Sequence, residues 1–368
     1  MVKWSHPWLY ARIARLAIAC VMAALVTAPA ALADGGGAVY TETNSVAGNS
    51  LLAFDREGSG ALTPAGSVAT GGNGTGVGLG SGHSVIASSD GRMVLAVNAG
   101  SDTVSAFAVR NGNLKLLGAP VASGGNTPTS VTSHGNLVYV MNAGSGTISG
   151  FTIDPARGVT PIPGSTQALA AAGTGRDSQI QFDKSGRVLI VDERGVNLIQ
   201  TFVVRADGVA GPPTTIAADG GSPFGFDVDR QGHVLFSNAA LGAFSGASSY
   251  DVAADGRLTP NGPPVTSGQA AACWLAAVRG FAFTTNAGSG SIARFAVAHD
   301  GSLQLIGTTA ISPAAHPLDE AAALDGDFLY VLADGLHQIV GYKVGEDGSL
   351  SQVATVRVPM AADGVGAH

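Results

Sequence analysis

Val138-Tyr-Val-Met-Asn142-Ala-Gly-Ser-Gly-Thr-Ile-Ser-Gly-Phe-Thr-Ile153 is the stretch that decides the fold. Apolar residues alternate up to Asn142, and a polar turn, Ala143-Gly144-Ser145-Gly146, follows. Alternation then resumes, with Ile148, Gly150 and Thr152 on one face and Phe151 and Ile153 on the other. A period of two on both sides of a tight turn predicts two antiparallel strands joined as a hairpin. Asn bonds its own backbone two residues on, and Gly tolerates positive φ, so both suit the turn.

The same pattern recurs along the chain. Val94-Leu-Ala-Val-Asn98-Ala-Gly-Ser-Asp-Thr-Val-Ser-Ala-Phe107 and Ala282-Phe-Thr-Thr-Asn286-Ala-Gly-Ser-Gly-Ser-Ile-Ala-Arg-Phe295 are near copies. Weaker copies run over 39–54, 188–202, 234–250 and 329–342. Turn markers at Asn44, Asn98, Asn142, Asp192, Asn238, Asn286 and Asp334 lie 54, 44, 50, 46, 48 and 48 residues apart. Seven units at that period mark a repeat architecture. Each unit adds a short strand before the hairpin, closed by a turn such as Ser89-Asp90-Gly91-Arg92, and a strand after it, led by a turn such as Asp300-Gly301-Ser302-Leu303. Four strands per unit predict an all-β, seven-bladed propeller of four antiparallel strands per blade. A lone twisted sheet leaves its faces open, whereas seven in a ring bury them against each other. The first unit, from Ala38, lacks an inner strand, and the segment Met360–His368 is left over at the end. Joining the two in one blade closes the ring and makes 38–368 a single domain. Blade five is irregular, with a hairpin loop over Ala239–Ser249 about three residues longer than its siblings.

Residues 1–33 read as a secretory signal peptide: Lys3, Arg12 and Arg15, an apolar run from Leu16 to Ala28, and Ala31-Leu32-Ala33 before Asp34. The apolar run is shorter than the roughly 20 residues that span a bilayer, so no transmembrane segment is expected after cleavage. Residues 34–37 then form a short N-terminal segment. A secreted or periplasmic location follows. Removing three positive charges from 19 leaves 16 against 26 negative, a mature charge of −10. No basic run remains, which argues against a nucleic-acid partner. Of two cysteines only Cys273 survives cleavage, so no internal disulfide forms and stability must come from burial.

In a propeller the inner strands surround a central channel, and the hairpins and blade connections gather at one mouth. Polar residues entering the inner strands there are His83, Asp177, Gln179, Cys273, Trp274, His316, Asp319 and Glu320, joined by Asp192, Glu193 and Arg194 of the fourth hairpin. Each has a plainer role available: turn capping for Asp192, solvated loop charges for Glu193 and Arg194, hydrogen-bonded or exposed histidines, inter-blade packing for Trp274. Glu320 stands where the siblings carry Val85, Ile180 and Phe226, a local inconsistency of the kind that marks function. Nucleophile-elbow, zincin, Cys-x-x-Cys and P-loop motifs are missing from the sequence, and the histidines are dispersed, so no metal and no cofactor are expected.

Gly72-Asn-Gly-Thr-Gly76-Val-Gly-Leu-Gly-Ser81, the Val-Asn-Ala-Gly-Ser hairpins, Val191-Asp-Glu-Arg-Gly-Val-Asn197-Leu-Ile-Gln-Thr-Phe202, Ser222-Pro-Phe-Gly-Phe226 and Ala271-Ala-Cys-Trp274 carry a resemblance. With them the whole mature chain resembles the secreted branch of the seven-bladed lactonase family, which takes in 6-phosphogluconolactonase-like and 3-carboxymuconate cyclase-like proteins. The resemblance implies a small lactone or carboxylated ring compound as ligand, hydrolysed or cyclised at the channel mouth by a monomer. In the cyclase-type relatives a His, two Arg and a Glu carry the chemistry. The Glu matches Glu193, while the other positions fall at Thr129, Ser178 and Ala287. The resulting assignment makes Glu193 or His316 the general acid/base, with His83, Gln179, Arg194, Trp274 and Asp319 binding substrate. The alternative is a non-catalytic exported propeller that binds a small ligand or a protein partner through its loop face.

Overall fold

The computed structural model describes residues 36–171, 176–240 and 245–368. The signal peptide expected at 1–33 lies outside them. Seven antiparallel sheets follow one another. Blade 3, which holds the opening stretch, is built from Pro128–His134, Leu137–Asn142, Thr147–Asp154 and Gly158–Pro161, from the axis outward. Blades 4 to 7 begin with inner strands Asp177–Phe182, Pro223–Val228, Ala272–Val278 and Pro317–Ala322. In blades 2, 3 and 5 the outer strand is broken, and a two-residue piece (Val121–Ala122, Gln167–Ala168, Val265–Thr266) completes it.

The period of two has a direct consequence for packing. Val138 and Val140 join Leu95, Val97 and Val104 in the core between blades 2 and 3. Their neighbours Tyr139 and Met141 join Ile180, Leu189 and Val191 between blades 3 and 4. Alternate residues of one strand therefore serve two different cores, and each blade interface has one such cluster. Every buried Val, Leu or Phe stabilises by about 1.5–3 kcal/mol. Among the described residues the outer strands hydrogen-bond to a strand on one side only, and Leu62–Ala69 is exposed along most of its length.

A second device locks neighbouring blades. Tyr139 Oη donates to the Gly208 carbonyl (2.7 Å) in the outer turn of blade 4 and accepts from Ala210 N–H (2.8 Å). Tyr330 Oη donates to Gly60 O across the blade 7–1 junction (2.9 Å), and Thr201 Oγ1 donates to Gly256 O between blades 4 and 5. Gly150 lies opposite Tyr139 in register, and a Cβ there would come within 2.7 Å of the ring.

The ring closes as expected. Gly37–Glu42 pairs with Ser50–Arg56 on one side and with Asp363–Ala367 on the other. Ala38 and His368 exchange backbone bonds at 3.2 and 3.0 Å, and Tyr40 Oη meets His368 Nε2 at 3.1 Å. In blade 5 the strands stop at Asn238 and resume at Gly246, seven intervening residues against four in blade 3, so Gly246–Ser249 belongs to the strand and not to the loop. Residues 241–244 of that loop lie outside the described residues.

Three turn markers sit elsewhere than the spacing suggests. Asn98, Asn142, Asn238 and Asn286 each end their strand at the last pair before the turn. In blade 4 that place belongs to Glu193, paired with Leu198, and in blade 7 to Ala333, paired with Gln338. In blade 1 Glu42 takes it, paired with Leu51. Blades 4 and 7 turn through a single 3-10 turn, Arg194–Val196 and Asp334–Leu336, each followed by a left-handed residue, Asn197 (φ 58°) and His337 (φ 53°). Asp192 is thus one step inside its strand and fully buried.

Candidate functional site

Because the inner strands are parallel to one another around the axis, their first residues and the hairpin ends share one mouth. Blade 4 gives that mouth its charge. Glu193 is 1% exposed, and its carboxylate accepts from Ala170 N–H (3.1 Å) and Ala171 N–H (2.6 Å) of the incoming connection. Burial pushes its pKa up, and those two bonds pull it back in part. Directly across the ladder stands Asp177, register partner of Glu193 and 5% exposed. Neither of its oxygens has a hydrogen-bond partner among the described residues. Burial, with the Glu193 charge second and Arg194 opposing, raises Asp177 to about 7.

Around this pair lie further buried polar atoms: Thr129 Oγ1 is unpartnered among the described residues, and Ser178 Oγ lies near enough to favour the charged form of Asp192 in part, without hydrogen-bond geometry. Buried polar groups are normally paired, so a cluster of them at one place suits a polar ligand. One Asp192 oxygen accepts from Gln179 N–H (2.7 Å). Arg194 is half-buried, its guanidinium carbon 4.2 Å from the centre of the Phe224 ring. Burial lowers its pKa, and Asp192 and Cys273 partly restore it. Arg176, exposed, packs its stem on Gly195 in the same turn, and its charge reaches Arg194. Arg194 acts on a carboxyl raised to about 7, and Arg176 lies next to that carboxyl in sequence. That combination can hold an anionic substrate and move a proton.

The channel is not open from end to end. Blade 2 has only a three-residue inner strand, Val85–Ala87, because the preceding chain leaves the blade and crosses the axis. Leu79 N–H donates to Asp363 Oδ2 (2.7 Å) of blade 1, Ser81 Oγ to Thr129 O (2.8 Å) of blade 3, and Gly82 N–H to Ser178 O (3.0 Å) of blade 4. Trp274 Nε1 of blade 6 donates to Ser81 O (3.0 Å), and His83 N–H donates to Asp319 Oδ2 (3.2 Å) of blade 7. A segment tied to five blades lies across their common axis. Gly82 permits the crossing, since a Cβ there would meet Gln179 Oε1 at 2.4 Å.

The other expected site residues are distributed by this plug. Trp274 is 4% exposed and meets Phe224 edge-on at 4.8 Å, serving as an anchor for the crossing. Gln179 is buried, bonding both backbone groups of Phe226. Asp319 is also buried, spends its oxygens on the N–H groups of His83, Val365 and Glu320, and is raised to about 7, chiefly by burial. His83 lies on the far side of the plug, lining a cavity that opens at the opposite mouth, and burial lowers it to about 4. His316 is exposed in the connection leading into blade 7. Cys273 is half-buried, and burial pushes its thiol up to about 12. The structure therefore brings Glu193, Arg194 and Asp177 together and sets His83 apart from them. Asp177 is the residue whose weight the sequence hid: its register against Glu193 emerges only when hairpin four is aligned on Gly195 rather than on an acidic residue.

The lactonase seven-bladed β-propeller family model matches residues 48–270. This chain belongs to that family. No curated protein sequence matches it. Among solved structures, this lactonase-family propeller is similar to a putative 6-phosphogluconolactonase from Bacteroides fragilis, at 18% identity and a TM-score of 0.72 over 90% of this chain and 98% of that one. A putative 6-phosphogluconolactonase from Bacteroides uniformis gives 21% identity and a TM-score of 0.72 over 89% and 98% of the two chains. The periplasmic gluconolactonase of Pseudomonas aeruginosa gives 14% and 0.72 over 90% and 98%. At such identities the likeness concerns the fold. Within that fold, Thr129, Ser178 and Glu193 lie on blades 3 and 4 at the hairpin mouth, and Ala287 opens the hairpin turn of blade 6.

Proposed function

We propose that this propeller is an exported enzyme that opens a small lactone bearing an anionic group, at the mouth where the hairpins gather. The observation that carries this is Asp177: a buried carboxyl, uncommitted among the described residues, raised to about 7, beside Glu193 and Arg194, with Arg176 near Arg194. A general base works best with a pKa near the operating pH. Ionised Asp177 takes a proton from water as the water oxygen bonds to the lactone carbonyl carbon. Arg194 stabilises the charge that gathers on the carbonyl oxygen. The ring C–O bond then breaks, and Asp177 returns the proton to the departing alkoxide, so lactone and water give one hydroxy acid. Arg176 holds the substrate's carboxylate or phosphate. Glu193, the acid/base expected from the sequence, is here a positioning residue instead: it fixes the 170–171 connection and raises Asp177.

The test is acid release from a lactone panel, including glucono-lactone and its 6-phosphate, by the purified mature chain. Asp177→Asn should cost about 10²–10⁴-fold in kcat/KM, and Glu193→Gln should lower the pH at which activity rises. Full activity in Asp177→Asn would remove that residue from the mechanism. For export, the N-terminus of the protein recovered outside the cytoplasm should be Asp34.

A second reading has its own support. Phe224 lies beneath Arg194 and meets Trp274 edge-on, both rings buried, and the positions where cyclase-type relatives carry His and Arg hold Thr129, Ser178 and Ala287. A mouth of this kind can bind an organic acid or a protein loop without turnover. Saturable binding of a hydroxy acid, with every lactone inert, would select it.

A further inference from the structure

On the far side of the plug is a cavity of about 360 Å³, within the range of small-molecule sites. Its rim is formed by the turns between inner and second strands, including Ser89, Lys184 and Leu324, so it opens away from the hairpins. We propose that this mouth is a second binding site, which takes a small organic cation with an apolar body and pairs it with Glu320.

Four carboxylates line the cavity: Asp183, Asp227, Asp229 and Glu320. Three are committed. Asp183 accepts from Arg187 and Val188 N–H (both 2.8 Å) and from Ser185. Asp229 accepts from His233 Nδ1 (2.8 Å) and from the N–H groups of its own turn. Asp227 accepts from Gln181 Nε2 (2.8 Å) and Ala277 N–H (2.9 Å). Glu320 differs: it is 3% exposed, and neither oxygen has a hydrogen-bond partner among the described residues. The backbones of Thr285 and Ala276 lie near enough to favour its charged form in part, without hydrogen-bond geometry. Its strand position is one that blades 2 to 6 fill with Val85, Val131, Ile180, Phe226 and Leu275, so packing alone would put an apolar side chain there.

The field in the cavity favours a cation. Lys184, the one lysine of the lining, donates its Nζ to the carbonyl of Arg230. The remaining titratable groups near Glu320 are Asp319 on its own strand, Asp227 on blade 5, His83 on blade 2 and His134 on blade 3. Burial first, then the charges of Asp319 and Asp227, push the Glu320 pKa well above the ordinary carboxylate range. Apolar walls from Ile86, Phe182, Leu275 and Leu324 accommodate a hydrocarbon body. No three metal-ligating side chains converge among the described residues, which leaves an ammonium as the cation the site suits. Its N–H donors satisfy the two free oxygens, and Glu320 gives up its proton as it binds.

Calorimetric titration of the mature chain with benzylamine, against benzyl alcohol and benzoate as controls of the same size, tests this. Benzylamine should bind saturably and at least tenfold more tightly than either control, releasing up to one proton detectable with an indicator in weakly buffered solution. Glu320→Gln should weaken benzylamine at least tenfold and abolish the proton release. Equal binding of the alcohol, no saturation by the amine, or unchanged affinity in the variant would overturn the proposal. The comparison of amine with alcohol on the unaltered protein stands whatever the variant's stability. Asp177→Asn should leave benzylamine affinity unchanged, so the two mouths are tested independently.

Discussion

Replacing Glu320 with leucine should make the ligand-free protein more stable, against the usual direction of core substitutions. The carboxyl is 3% exposed, lies opposite Val331 in register, and has no hydrogen-bond partner among the described residues. An unsatisfied buried polar group costs about 1–3 kcal/mol, and leucine, already present at the equivalent Leu275, fills a similar volume. With roughly 2.1 cal/mol/K of unfolding entropy per residue over residues 36–368, that gain is a rise in Tm of about 1.5–4 °C. The pH dependence carries the stronger test. Burial first, then the Asp319 charge, hold the folded-state pKa of Glu320 well above that of the unfolded chain. The folded form keeps its proton where the unfolded form loses it, so the native protein loses stability as pH rises above the unfolded value. Leucine has no proton to lose, and the advantage of Glu320→Leu should grow between pH 5 and pH 8. Scanning calorimetry at pH 5, 6, 7 and 8 measures both effects. A variant less stable than the native chain, or an advantage independent of pH, would show that the carboxyl is satisfied and charged in the empty protein. The proposed amine site explains why such a costly group is present at all: stability is given up where a ligand is to be met.

Three further outcomes follow from the same geometry. Asp177, Asp319 and Asp363 are each raised to about 7, in every case mainly by burial, while His83 is lowered to about 4 by burial. The raised carboxyls stabilise fully below the unfolded value and lose that contribution as pH climbs to about 7; His83 acts in the opposite sense between about 4 and 6.5, so with three groups against one, Tm should fall from pH 5 to pH 8. A rising Tm across that range would contradict the buried placement of these carboxyls. Gly150→Ala should destabilise by about 1–3 kcal/mol, because the added methyl meets the Tyr139 ring and displaces its hydroxyl from Gly208; an unchanged denaturation midpoint would mean that the ring has room to move. Tyr139→Phe leaves Ala210 N–H and Gly208 O without that bridge, and should cost about 1–3 kcal/mol with the fold intact by circular dichroism.

The ring was legible because its signals are local. Alternation in Val138–Asn142 already encodes two packing faces, and the Asp-Gly turns delimit the strands. Closure through Asp363–Ala367 followed from a blade one strand short. The register at the fourth hairpin was less accessible, since acidic residues stand at both Asp192 and Glu193 and only the shared glycine, Gly195 against Gly144, aligns the turns. The plug was harder still. Four glycines alternate from Gly76 to Gly82, which signals close backbone approach, but the partners are Trp274 and Asp319, far along the chain. Whether such a segment extends a strand or crosses the axis is decided by tertiary contacts. For the same reason His83, grouped by sequence with the hairpin residues, lines the opposite cavity. Glu320 stood out as a broken pattern, and the structure adds that its oxygens are unpartnered among the described residues.

The most direct measurement on the proposed chemistry is the pH dependence of kcat/KM for lactone opening, corrected for the uncatalysed reaction. Activity should rise through an inflection near pH 7, the value to which burial brings Asp177, and the inflection should vanish with most of the rate in Asp177→Asn. A profile flat from pH 5 to pH 8, or one that keeps its inflection in the variant, would place the base elsewhere.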